Sequence, residues 1–321
     1  MRRRPVLWAA IILLGLFAYD AVLRSLLIGL VALPLIPGGL KVLTAVLALF
    51  SLAHSWYSIG GRLTATFFVL SAAISWAYEE VGVVTGLVFG AYHYTDYLGA
   101  RLGEVQLLIP LAWFMMIYPS YVIANLVPEG RPIGTPNGIP GLVRLAAVSA
   151  LVMTAWDLVI DPILSGPSVR AWIWDTGGPY FGIPIHNYLG WLLTTFTVYL
   201  AYRAVEQRRA AGGAWARGAW ARGAGGAWAR GTGTRGAGGA WAGGTGGGGT
   251  STGGSSHEDS LGAATAALPV AAYGLMLVAD LLSGVAPAGL AVIGPVVMGL
   301  PLAAVAWRTR RSRMAVDRLR E

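Results

Sequence analysis

Hydrophobic and polar positions along the chain fall into long apolar runs separated by short polar or glycine-rich breaks, and the runs have the length of membrane spans. Windows at about residues 6–33, 40–56, 63–79, 105–126, 142–160, 186–204, 262–284 and 288–307 predict an all-α fold. It reads as a polytopic transmembrane helical bundle of about 8 spans. Two breaks are not simple turns. Residues from about 80 to 104 carry Gly82, Gly86 and Gly90 among Phe89, Tyr92, Tyr94 and Tyr97, and residues 161–185 have the same character. Such backbone survives at membrane depth only where protein buries it or it lines a cavity. Both broken polar loops are expected on the outer face.

The same pattern divides the chain. Residues 1–205 form a six-span membrane domain that carries the candidate chemistry. Residues 206–260 repeat an Ala-Trp-Ala-Arg-Gly unit and then dissolve into Gly, Thr and Ser, as a cytoplasmic linker would. Residues 261–307 give two additional spans, expected to pack on the core without building the site, and 308–321 a basic cytoplasmic tail. The opening stretch MRRRPVLWAAIILLGLFAYDAVL has the basic and apolar regions of a signal peptide but no small-residue cleavage site, so it reads as a first helix.

Composition narrows the class. Of 321 residues, 55% are hydrophobic and only 12% charged, against about 25% charged in soluble domains. There is no cysteine, which removes disulfides, thiolate metal sites and a Cys nucleophile. The net charge of +8 reads as topological, with no nucleic-acid partner. In an even-span topology Arg2 to Arg4, Arg62, Arg131, Arg144, Arg203, the linker arginines and those from Arg308 to Arg320 share one side. The positive-inside rule makes that side the cytoplasm and the chain a multi-pass protein of the cell membrane with both termini inside. The same count brings Glu79, Glu80, His93, Asp96, Asp157, Asp161, Asp175 and His186 toward the outer half.

Asp157 and Asp161 lie four apart and share a helix face, and Pro162 predicts that the helix ends at Asp161. A carboxylate inside a span costs about 2.5 to 3.5 kcal/mol on insertion scales and so marks a pathway or a site. Glu79 and Glu80 follow an apolar run, near Trp76 and Trp113 in character. The histidines His54, His93 and His186 have no metal-ligand spacing, and no metal site is expected. Two readings remain for the aspartates: carboxylates holding magnesium against a diphosphate, or acid chemistry on an apolar substrate. Trp172, Trp174, Tyr180 and Phe181 lie in the same polar loop as Asp161, and aromatic faces stabilise cations by about 0.5 to 2 kcal/mol each.

The block HSWYSIGGRLTATFFVLSAAISWAYEEVGVVTGLVFGAYHYTDYLGARLG, with LLIPLAWFMMIYPSY after it, resembles the integral-membrane carotenoid biosynthesis hydratase family, of the gamma-carotene 1'-hydroxylase and bisanhydrobacterioruberin hydratase types. AWDLVIDPILSGPSVRAWIWDTGGPYFGIPIHNYLGW is similar to that family's second signature, so the resemblance covers about residues 50–205. Glu104-Val105-Gln106 departs from the Gly-Val-Pro-like turn expected there, and the WARG linker is peculiar to this chain. The resemblance implies addition of water across the terminal C=C of an acyclic carotenoid, giving a tertiary alcohol with no cofactor. For that chemistry the residues offer a protonated carboxyl, Asp157 or Glu80, with Glu79 beside it. Asp161 or His186 would orient the water, and Asn187 would hold the network. Trp76, Tyr92, Tyr94, Trp113, Trp172, Trp174, Tyr180 and Phe181 would wall the substrate. The expected partners are the carotenoid, the lipid bilayer and other pathway enzymes such as a glycosyltransferase. The alternatives are a magnesium-dependent prenyl-transferring or cyclising carotenoid enzyme, and a carotenoid-binding scaffold subunit without catalysis.

Overall fold

A computed structural model describes residues 4–27, 34, 37–228 and 254–318. Helix α1 (Arg4–Phe17) runs through a π-helical turn (Ala18–Leu23) into a short α2 (Arg24–Leu27), and α3 (Gly39–Ile59) and α4 (Gly61–Thr85) follow. Three short strands, β1 (Tyr92–Tyr94), β2 (Arg101–Leu102) and β3 (Val105–Gln106), precede α5 (Leu108–Glu129) and α6 (Gly138–Leu164). Strand β4 (Trp172–Trp174) leads to α7 (Ile185–Trp228), α8 (Gly254–Leu282), α9 (Leu290–Val297) and α10 (Gly299–Arg318). The protein is an all-α, polytopic bundle in which seven described helical segments are long and apolar enough to cross a membrane. The predicted span at about 186–204 lies in α7, which is not one of the seven. Its sequence carries the exposed His186 and brings Asn187, Thr194, Thr195, Thr197, Arg203 and Glu206 into the bundle.

Position in the bundle follows from apolar patterning. Helix α5 reads LIPLAWFMMIYPSYVIANLVPE, apolar on every side, and every residue from Trp113 to Leu126 is buried. The helices around it keep one apolar face outward, as Trp8 and Ile12 on α1 and Val69, Val81 and Val84 on α4 show. Helix α7 packs most extensively on α6. At one end of that seam the buried Arg203 donates to Asn125 Oδ1 at 3.0 Å and Ser149 Oγ at 3.1 Å, and Tyr121 donates to Glu206 at 2.6 Å. His54 bonds the Tyr118 hydroxyl at 2.7 Å and the Thr265 carbonyl at 2.9 Å, which ties α3, α5 and α8 together.

Three element boundaries differ from the sequence pattern. Helix α4 continues past Glu79 and Glu80 to Thr85 and ends on Gly86 with φ +69°, so both glutamates are helical. Helix α6 does not end at Asp161: Pro162 sits inside its last turn, and the helix closes at Leu164. Proline removes the N–H that would have bonded the Leu158 carbonyl, and the Tyr180 hydroxyl takes that carbonyl instead at 2.8 Å. The expected linker at 206–260 is helical up to Trp228 and again from Gly254, and the part at 229–253 lies outside the described residues.

The start of α7 is pressed onto the loop after α4. A Cβ on Gly190 would collide with the Val88 carbonyl and lie 2.6 Å from Phe89 Cδ1, whereas one on Gly15 meets nothing within 4 Å. Gly190→Ala is therefore expected to destabilise the detergent-solubilised protein by about 1 to 3 kcal/mol. Gly15→Ala should leave the unfolding midpoint unchanged or slightly raised.

Candidate active site

The two broken loops meet. Strand β1 pairs antiparallel with β4 in the register Tyr92 with Trp174, His93 with Ile173 and Tyr94 with Trp172. The pairing is extended by Thr95 N–H to the Ala171 carbonyl at 3.1 Å and Asp175 N–H to the Ala91 carbonyl at 3.0 Å. Because side chains alternate along a strand, Tyr92, Tyr94, Trp172 and Trp174 share one face. Their rings also touch: Tyr92 and Trp174 centroids are 5.0 Å apart and Tyr94 and Trp172 6.1 Å. His93 falls on the other face, exposed, and bonds Asp175 at 2.8 Å.

The shared face is turned onto carboxyl groups. Glu79, in the last turns of α4, accepts at Oε2 from the Tyr92 hydroxyl and from the Tyr94 hydroxyl at 2.8 Å. At Oε1 it accepts from Trp113 Nε1 on α5 at 3.1 Å. Asp161 accepts at Oδ1 from Trp172 Nε1 at 2.8 Å, with Trp174 Nε1 at 3.4 Å, and at Oδ2 from Asn187 Nδ2 at 2.7 Å. Asp157, one helical turn earlier, shares that amide: Asn187 Nδ2 reaches its Oδ2 at 3.1 Å. Its other oxygen, Oδ1, is buried and has no hydrogen-bond partner among the described residues.

All three carboxyl groups are at least 95% buried. They line one cavity of about 320 Å³ with Tyr92, Tyr94, Trp113, Trp172, Trp174 and Asn187. None of the ion pairs among the described residues involves Glu79, Asp157 or Asp161. Their donors are neutral phenols, indoles and an amide. Burial first, and then the Glu79 charge, hold the Tyr92 and Tyr94 phenols well above the usual tyrosine range, so both remain donors. Burial, with the Asp157 and Asp161 charges, pushes Tyr180 up to about 12.

Other residues singled out by sequence lie outside this wall. Glu80 accepts the Glu104 N–H at 2.9 Å and braces the β2–β3 turn. Trp76 braces the same turn by donating its indole N–H to the Leu102 carbonyl at 3.0 Å. His186 is exposed beside the buried Asn187. Tyr180 serves the α6 carbonyl freed by Pro162, and Phe181 is exposed against Gly289. Conversely, the cavity takes in residues that sequence reasoning left out: Trp156, Trp191, Asp20 and, from the end of α8 and just after it, Met276, Ala279, Asp280, Leu282 and Ser283. The last spans thus contribute to the wall they were expected only to support. Trp191 was findable, since it lies four residues after Asn187 on the same helix face, where it stacks on Trp113 at 4.0 Å. Asp20 and Asp280 carry the signal that marked Asp157, a carboxylate within an apolar run.

A family model described as "Carotenoid biosynthesis protein" matches residues 40–217. Bisanhydrobacterioruberin hydratase from Haloarcula japonica is 33% identical over 129 residues, which is 40% of this chain and 41% of that protein. The chain thus aligns with about two fifths of the length of that curated relative. No solved structure matches.

The phenol donors make a test at high pH. Their raised ionisation in the folded state means that the stability they contribute is full below about pH 10 and is lost as pH rises above it, where the unfolded chain ionises first. The double variant Tyr92→Phe, Tyr94→Phe should lower stability at neutral pH by about 1 to 3 kcal/mol per lost donor. Its unfolding midpoint should also fall less steeply than that of the wild type above about pH 10.

Proposed function

The chain belongs to the carotenoid biosynthesis protein family, and on that premise we propose that it hydrates the terminal C=C of an acyclic carotenoid to a tertiary alcohol. The observation that carries the reading is Asp157 Oδ1, a buried carboxyl oxygen without a partner in a cavity walled by aromatic rings. The name of the haloarchaeal relative, a hydratase, supports the same class of reaction.

In this mechanism Asp157 holds a proton and gives it to the less substituted alkene carbon. The π electrons form the new C–H bond and leave a tertiary cation on the carbon bearing the two methyl groups. Rings of Tyr92, Trp172 and Trp174 face the cation, and the negative charge of neighbouring carboxylates stabilises it further. Water attacks the cation, its oxygen forms the C–O bond, and the proton it releases goes to Asp161. The proton count over Asp157 and Asp161 together is unchanged at the end of the cycle. Asn187, bonded to both aspartates, holds the pair in register. Glu79, with three donors, keeps the aromatic strand face in place and adds negative charge.

The reading suits an apolar substrate for an electrostatic reason. Neutral donors hold Glu79, Asp157 and Asp161, and Arg24, the basic residue on the cavity wall, is paired with Asp20 at 3.2 Å, so no unpaired cation among the described residues lines the space where the substrate cation must form. In the same reading both termini are cytoplasmic, as the arginine distribution supports. The alcohol product would pass to later pathway enzymes such as a glycosyltransferase.

Expression in a host that accumulates lycopene tests the proposal by product mass. The wild type should yield a carotenoid heavier by one water, and Asp157→Asn, inserted to the same level, should lower it by at least about 100-fold. Glu80→Gln should keep most of the product, and a chelator should leave it unchanged. Loss of product on chelation would favour the magnesium-dependent reading. No mass change on lycopene or on longer acyclic carotenoids would sink the hydratase reading and favour a scaffold.

A further inference from the structure

Asp280 lies in α8, beyond residues 40–217 where the family model matches, and the mechanism above leaves it without a role. It is 5% exposed within an apolar span, a costly place for a carboxyl group without a purpose. It lines the same cavity as Asp157 and Asp161. So does Trp156, which is 4% exposed. Trp156 Nε1 faces the Asp280 carboxyl as a close but poorly aligned donor. Neither Asp280 Oδ2 nor Trp156 Nε1 has a partner at hydrogen-bond geometry among the described residues. A buried donor and a buried acceptor on one cavity wall, adjacent but out of line for a full hydrogen bond with each other, are the polar partners a bridging water requires.

We propose that Asp280 and Trp156 seat the water that is added to the substrate. This rests on the hydratase reading and deepens it. The seated water accepts the Trp156 N–H and donates one O–H to Asp280 Oδ2. Its remaining lone pair forms the C–O bond, and its second proton passes to Asp161 as that bond forms. Protonation of the alkene stays with Asp157. The two half-reactions are therefore separable: loss of the water seat spares formation of the cation and starves its capture. An uncaptured cation returns a proton and regenerates an alkene.

The test uses membranes from cells that have accumulated lycopene, transferred into D2O, with the full-length chain at matched levels. Hydrated product and deuterium in the recovered alkene are both read by mass. In the wild type hydration should dominate. In Asp280→Leu hydration should fall about tenfold or more while deuterium still enters the alkene, so the ratio of exchange to hydration rises by at least that factor. Asp280→Asn, which still accepts a hydrogen bond, should recover most of the hydration. Trp156→Phe keeps the ring and loses the N–H, so it should shift the ratio in the same direction and serves if Asp280→Leu does not insert. Exchange and hydration falling together, or an unchanged ratio in both variants, would overturn the water seat while leaving the hydratase reading intact. Absence of both hydrate and exchange in the wild type would overturn both.

Discussion

The pairing of β1 with β4 is the contact on which the site depends. Three-residue strands from loops about 80 residues apart form a ribbon too short to be stable alone. It is held at its aromatic face instead. Strand β1 sends two hydroxyls to Glu79 on α4, and β4 sends two indoles toward Asp161 on α6. Each strand thus anchors a carboxyl group on the helix that precedes it, and the ladder joins the two helices. The dependence is mutual, because the carboxyl groups could not lie buried in a span without those donors.

The choice of donors shapes what the cavity can do. Lysine or arginine would satisfy a buried carboxylate more strongly, but would leave a positive charge beside any cationic intermediate. Phenols, indoles and one amide satisfy Glu79 and Asp161 while remaining neutral, and the same rings supply the wall. Asp157 differs from its neighbours: one oxygen is held by Asn187 and the other is buried with no hydrogen-bond partner among the described residues. It is this asymmetry that the proposed mechanism uses in assigning the acid to Asp157.

Much of this was legible in the sequence. The all-α membrane bundle follows from the apolar runs, and the placing of Asp157 and Asp161 on one face follows from their spacing of four. The alternation in Tyr92-His93-Tyr94 and Trp172-Ile173-Trp174 was also there, and in hindsight it separates the aromatic face from His93. What sequence could not supply was rotation and partnership. Glu79 and Glu80 are neighbours, as are His186 and Asn187, and only the helix register decides which points inward. Pro162 read as a helix end because its compensation, the Tyr180 hydroxyl on the Leu158 carbonyl, comes from a residue 22 positions from that carbonyl. Asp20 and Asp280 were passed over because they sit far along the chain from the blocks that carry the resemblance, and only the packed bundle brings them to the cavity.

The account stands or falls on the origin of the product's oxygen. Membranes containing the protein and lycopene, incubated in H2(18)O under ordinary oxygen and in parallel in ordinary water under (18)O2, decide it by mass spectrometry of the alcohol. The account predicts that the hydroxyl carries label from water and none from oxygen gas, with equal turnover when oxygen is removed. Label arriving from oxygen gas, or turnover that stops without it, would contradict water addition by the carboxyl groups of this cavity.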